Sequence, residues 1–147
     1  MAKIKFTLRP CPVLAEHRPL YKIAQALLIV DVCGWGKKCS IIKMHLLSWA
    51  LKSSVRIDLL RRAVQTQSLS LPVWGFDPAL AIALQLSIED GLLEYEGNSL
   101  CLTERGRDFL RVIIEDKDVL QFERLHLESI GKGLTESIVS AAAKGWE

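Results

Sequence analysis

Asp77 to Leu110 reads DPALAIALQLSIEDGLLEYEGNSLCLTERGRDFL, and this stretch decides the fold. Asp77 is a natural N-cap and Pro78 suits the first helical position, since its missing N–H would be unsatisfied there in any case. The almost wholly apolar run that follows predicts a helix ending at Gly91, a residue that accepts the left-handed conformation of a helix stop. Leu92 to Glu96 and Ser99 to Leu102 then read as two short strands, joined by Gly97-Asn98, both tolerant of the positive φ a tight hairpin needs. Thr103 can cap a further helix whose Phe109, Leu110, Ile113 and Ile114 would pack back on the core. The predicted order is helix, hairpin, helix.

That order is the tail of a winged-helix domain, so the expected fold class is mainly α: a winged-helix-like domain with a small β-hairpin wing and a C-terminal helix. Many such domains read DNA, which requires Arg, Lys, Asn or Gln projecting from the recognition element and cations near the phosphates. Between Ala79 and Asp90 the polar set is only Gln85, Ser87, Glu89 and Asp90, and the wing adds Glu94 and Glu96. These carboxylates would repel a phosphate backbone carrying one charge per about 1.7 Å. Sequence-specific reading through this helix is not expected.

Upstream, Leu20, Ile23, Leu27 and Val30 recur at helical spacing from Pro19 to about Cys33. Gly34-Trp35-Gly36-Lys37-Lys38 breaks that helix, and Ser40 can cap a second one to about Lys52, with a narrow polar edge of His45, Ser48 and Lys52. A third helix is expected over Val55 to Gln65, burying Ile57, Leu60 and Val64, followed by a polar turn to Ser70 and an extended Leu71 to Phe76. Downstream, Val119 to Ile130 is compatible with helix or strand. Gly131-Lys132-Gly133 reads as a hinge, and Leu134 to Ala143 as a small-residue helix with Leu134, Ile138 and Ala142 on one side. The whole chain, 1–147, is expected to form one domain, with a core at 18–115 and an extension at 116–147.

At 147 residues, half of them apolar, the chain can bury a self-sufficient core, and disorder is not expected. The longest apolar run, Ala26 to Val30, is far short of the ~20 residues that span a bilayer, and no export signal is read at the start, so the expectation is a cytoplasmic protein without a membrane partner. Net charge is +2, but residues 1–76 carry 12 Lys or Arg against 3 Asp or Glu, a net +9, and residues 77–147 carry 7 against 14, a net −7. Such polarity can orient partners, or one half can neutralise the other within the fold.

The four cysteines, Cys11, Cys33, Cys39 and Cys101, are scattered and are read as small buried hydrophobes. A zinc site from Cys33, Cys39 and His45 would lack both a common spacing and a fourth ligand, so no metal and no cofactor are expected. Phosphate-loop, dinucleotide and nucleophile-elbow signatures are absent. The glycines and lysines from Gly34 to Ser40 resemble a phosphate loop only superficially and read as a helix connector, with a weak anion site as the alternative. His17, His45 and His126 have no partner spacing that suggests a triad, and Glu115-Asp116-Lys117-Asp118 reads as a solvated patch. Catalysis is not expected. Trp49 is assigned to the core, whereas the candidates for partner binding are Trp35, Lys37, Lys38, Lys43, Arg61, Arg62 and Trp146: large aromatics suited to anchoring and cations suited to an acidic or nucleic-acid surface.

Arg18-Pro19-Leu20-Tyr21-Lys22-Ile23, the helix Ile42 to Leu51, Trp74-Gly75-Phe76-Asp77-Pro78 and the wing end Leu102-Thr103-Glu104-Arg105-Gly106 together resemble the middle component of three-component ABC-ATPase systems, including the Lamassu type of antiphage defence. The resemblance covers about residues 18–115. It implies a small noncatalytic winged-helix subunit seated on an SMC-like ABC ATPase and linking it to an effector such as a nuclease; the residues leave open whether the subunit itself touches DNA, and any such contact is expected only within the assembly. The alternative expectation is a winged-helix DNA-binding transcriptional regulator.

Overall fold

The computed structural model describes residues 19–71 and 77–144. Seven α-helices and three short strands follow one another along these residues. Helix α1 (Pro19–Cys33) is the centre. Its Ala26, Leu27, Leu28, Ile29 and Val30 are all buried, because helices α2 (Ile41–Ala50), α4 (Pro78–Glu89), α5 (Glu104–Ile114) and α6 (Gln121–Ile130) contact it from different sides. A helix covered that way must be apolar around most of its circumference, as this run is. Leu20, expected on the buried stripe, is instead 64% exposed, and Lys22 and Gln25 lie inside.

Helix α2 starts where expected, with Ser40 Oγ accepting the Lys43 N–H at 3.1 Å. Its expected polar edge is solvated only at Lys52: His45 and Ser48 are buried, while Ile42, one turn before His45, is exposed. Helix α3 (Ser54–Thr66) buries Ile57 and Leu60 with Val64 partly covered, and it ends at Gln67 in the left-handed conformation. The extended reading of Leu71 to Phe76 lies, beyond Leu71, outside the described residues.

Strands β2 (Leu93–Glu96) and β3 (Ser99–Leu102) form the expected hairpin, with Leu93 opposite Leu102 and Glu96 opposite Ser99. The sequence reading missed a third strand, β1 (Lys38–Ser40), which pairs antiparallel with β3 to give the order β1-β3-β2. The expected plain connector is a tight turn: Gly36 and Lys37 both have positive φ, and the Lys38 N–H donates to the Trp35 carbonyl at 3.1 Å. Consecutive positive-φ residues are what a two-residue reversal requires. Three residues are too few to display a period, and the strand's partner, Cys101, is distant in sequence.

Thr103 caps α5 through its Oγ1, which accepts the Gly106 N–H at 2.9 Å. Gly106 is required there: a Cβ would sit 2.1 Å from the Leu92 carbonyl oxygen. The ambiguous segment after Val119 is helix α6, whose Leu127 and Ile130 are buried against the rest. The expected hinge is a 3-10 turn, Gly131–Gly133, leading through buried Leu134 into α7 (Glu136–Lys144), which buries Ile138, Val139 and Ala142. These side chains belong to the same apolar cluster as those of α1 to α5, so the extension helps to build the core. The result is a mainly helical fold with a small antiparallel sheet, and no described helix is long and apolar enough to cross a membrane.

Candidate functional site

Two features carry chemistry or contact: a polar cluster under the start of α4, and the outer face of the same helix.

The cluster begins with Lys22, whose stem is enclosed by the core. Its Nζ donates to Gln25 Oε1 and Ser48 Oγ, both at 3.0 Å, and stands 2.9 Å from Asp77 Oδ2. Three partners use the three protons of an ammonium group. Asp77 Oδ1 accepts the Ala79 N–H at 3.0 Å, while Oδ2 also accepts the Ser48 hydroxyl at 3.3 Å and has Lys52 Nζ at 3.7 Å. Burial raises the cost of the Asp77 charge, but the hydrogen bond and charge of Lys22, with help from Lys52, outweigh it and hold the carboxyl down to about 2. His45 Nδ1 accepts the Asp77 N–H at 3.3 Å, which places the ring proton on Nε2. Burial, reinforced by Lys22, lowers the His45 pKa against the opposing pull of Asp77.

Ser48 beside a lysine superficially resembles a serine–lysine nucleophile pair. Chemically it is the opposite. A general base needs a lone pair, and the Lys22 ammonium is committed to a carboxylate. Ser48 and Lys22 are fully enclosed, so no substrate atom can approach. The cluster is a clamp that fixes the N-terminus of α4 to α1 and α2.

The expected binding cations are dispersed by the fold. Lys43 is fully buried, and its Nζ donates to the Cys33 carbonyl at 2.7 Å, neutralising the C-terminal end of α1; it is unavailable to any partner. Lys37 pairs with Asp31, and Lys38 pairs with Glu96 at 2.9 Å. Arg61 reaches Asp58 and Ser129, both at 2.9 Å, whereas Arg62 is exposed on α3. Trp35 is 60% exposed, as expected of an anchor, although its Nε1 donates to the Lys132 carbonyl at 3.1 Å. Trp146 lies outside the described residues, as do His17 and Cys11. Trp49 is half-buried rather than core, with the Arg56 guanidinium 4.5 Å above its ring.

Cys33 and Cys39 are buried, as expected. Desolvation pushes the Cys33 thiol up to about 12 despite the charge of Lys43, and pushes Cys39 up as well. Cys101 is only partly covered and donates its thiol proton to Glu96 Oε2 at 2.9 Å. Among the described residues no group of His, Cys, Asp and Glu is arranged to hold a metal ion, and Cys33, Cys39 and His45 do not form one.

The second feature is the face of α4 that the clamp leaves outward. Leu80, Ala83, Leu84 and Ser87 turn inward, the Ser87 hydroxyl donating to the Ala83 carbonyl at 2.7 Å. Ala81, Ile82, Gln85, Leu86 and Glu89 face solvent, with Ile82 59% exposed. The helix bears no lysine or arginine. A groove of about 440 Å³ continues from it, lined by Leu20, Leu86, Leu92 and Phe109 and bounded by Glu89 and Asp90. Sequence reasoning saw the apolar character of this helix but did not single out its outer face, because a helix apolar nearly all round reads as one buried on every side; the exposed half is visible only in the fold. No protein-family model, curated protein or solved structure matches this chain in the comparisons with known proteins.

Proposed function

We propose that the chain is a noncatalytic, winged-helix-like subunit of an SMC-like ABC-ATPase antiphage defence complex of the Lamassu type, where it bridges the ATPase and an effector such as a nuclease. It works by binding. The observation that carries the binding role is the outward face of α4: the helix in the reading position offers Ala81, Ile82 and Leu86 to solvent and has no cation to offer a phosphate. Apolar exposed surface bounded by polar residues marks protein contact. The assembly itself rests on the resemblance of residues 18–115.

The regulator reading has less support. Lys43 is enclosed and α4 carries no cation, so phosphate contact would fall to the exposed Arg62 and to Lys37, Lys38 and Arg61, whose surface ion pairs are weak enough to exchange but which lie on elements other than the helix in the reading position. The test is tagged copurification from the native host at moderate salt, with mass spectrometry of the eluate. Recovery of an SMC-like ATPase supports the bridging role; a chain that elutes alone and retards duplex DNA, with retardation lost in Arg61→Glu/Arg62→Glu, transfers the assignment to a regulator.

A further inference from the structure

The face of α4 has a definite chemistry, and it specifies what can cover it. Ala81, Ile82, Gln85 and Leu86 form an exposed strip along one side of the helix, and the groove beside Leu86 extends the apolar surface across to Leu20, Leu92 and Phe109. A second hollow of about 300 Å³ is lined by Ala81, Ile82, Gln85, Leu86 and Glu89, so the two share Leu86 and Glu89 and form one continuous surface. At twelve residues, α4 runs about 18 Å, room for roughly three turns of a second helix laid along it.

The boundary of this surface is acidic. Glu89 is exposed at the junction of the two hollows, Asp90 follows it, and α4 contributes no positive charge. Asp90 is met by Arg105 at 3.3 Å, but both side chains are largely exposed, and such a pair is weak, screened by salt and easily exchanged for another cation. The adjacent wing adds exposed Glu94.

We infer that this surface is the docking site for an amphipathic helix of a partner protein, one with a stripe of leucine-like side chains that enters the groove and lysines or arginines beside the stripe that meet Glu89 and Asp90. The inference rests on the binding role proposed above and names the chemistry of the partner for that role. Hydrophobic anchors at helical spacing supply the affinity of this mode of recognition, and the acidic edge selects the sign of the flank.

The experiment needs no ATPase, so its failure and the failure of the assembly are separable. The full chain is titrated by fluorescence anisotropy with a labelled 18-residue synthetic helix carrying a Leu stripe with Lys flanks. Two controls are used: the same stripe with Glu flanks, and a peptide of the Leu/Lys composition with the stripe scrambled. The expected result is saturable binding of the Lys-flanked stripe, about tenfold or more tighter than either control at physiological salt. Ile82→Glu, at a site exposed enough to leave the core intact, should reduce that binding at least about tenfold with an unchanged far-UV circular dichroism spectrum. Glu89→Lys/Asp90→Lys should invert the preference toward the Glu-flanked peptide. Equal binding of the scrambled peptide, or indifference to both variants, overturns the inference. So does a homodimer in sedimentation equilibrium that Ile82→Glu dissociates, because the surface then belongs to a second copy of this chain.

Discussion

Lys22 Nζ on α1 lies 2.9 Å from Oδ2 of Asp77, the residue that caps α4, and both side chains are almost fully enclosed. The pair therefore joins two functions usually kept apart, an N-cap and a buried ion pair. The Asp77 carboxylate satisfies the Ala79 N–H with one oxygen while the other takes the lysine. The same contact pins the start of α4 to α1, and along the helix Leu80, Ala83 and Leu84 are buried while Ile82 and Leu86 are exposed.

Removing the cation alone should be costly. Lys22→Met keeps the length of the stem but leaves Asp77 facing Ser48 and the more distant Lys52. The expected loss is about 3 kcal/mol, the lower end of the ~3–5 kcal/mol typical when one partner of a buried pair is deleted. The double variant Lys22→Met/Asp77→Asn should be more stable than Lys22→Met, since no orphan charge is then buried. Urea denaturation decides it: a double variant as unstable as the sum of the singles would show that the two side chains act independently.

Two pH-dependent losses of stability should be separable by thermal melts. Neutral His45 is the folded form, and its pKa is lowered from the ordinary value, so the unfolded chain takes up more protons; stability is complete above about pH 6.5 and falls as the pH drops below it. Asp77 titrates at about 2 in the fold, so its contribution is present above the unfolded value of about 4 and disappears as the pH falls from there toward 2. His45→Asn, whose side-chain oxygen can still accept the Asp77 N–H, should remove the upper slope and keep the lower one. An unchanged upper slope would assign it elsewhere.

The hairpin and its flanking helices were legible because Gly97-Asn98, Thr103 and Asp77-Pro78 are local signals, and each occupies the expected position. What escaped the sequence depends on distant partners. Lys22 and Gln25 look like the solvent side of α1 until Ser48 and Asp77 arrive from other segments. Lys43 reads as a surface cation because nothing nearby in sequence predicts that it will reach back to the Cys33 carbonyl. Likewise, the +9 and −7 halves suggest a polar molecule, yet Lys38–Glu96 and Lys22–Asp77 each join one half to the other.

Lys43 offers a direct contrast between an enclosed and a surface cation. Lys43→Met loses a charged hydrogen bond of ~1.5–3 kcal/mol but no longer buries an ammonium, so the net change should stay within about 1.5 kcal/mol. Lys43→Glu places a carboxylate against the negative end of α1 and should leave the chain unfolded by circular dichroism. A folded Lys43→Glu protein with merely altered binding would return Lys43 to the surface.

Gly106 should be nearly irreplaceable. An added Cβ would meet the Leu92 carbonyl oxygen at 2.1 Å and a Leu102 methyl at 2.9 Å, so Gly106→Ala must push α5 off the hairpin, at a cost of about 1–3 kcal/mol or more. Gly97 has φ +64° and open space around it, so Gly97→Ala should cost only about 1 kcal/mol of backbone strain. Denaturant midpoints for the two variants test the ordering, and a Gly97→Ala loss larger than that of Gly106→Ala would contradict the packing of α5.

Cys101 should react slowly for a reason that can be removed. Its thiol is pushed up to about 11, by desolvation first and then by donation to Glu96, which itself is held below the usual carboxylate range by that thiol and by Lys38. Only the thiolate is nucleophilic, so alkylation at pH 8 is limited by how little of it is present. Glu96→Gln removes the negative charge beside the sulfur and leaves Lys38, which favours thiolate. In a Cys11→Ser background, where Cys33 and Cys39 are buried, the iodoacetamide rate at pH 8 should therefore rise several-fold in Glu96→Gln, and the midpoint of its pH dependence should move down. A rate that stays the same would mean that the Cys101–Glu96 contact does not hold the proton on sulfur.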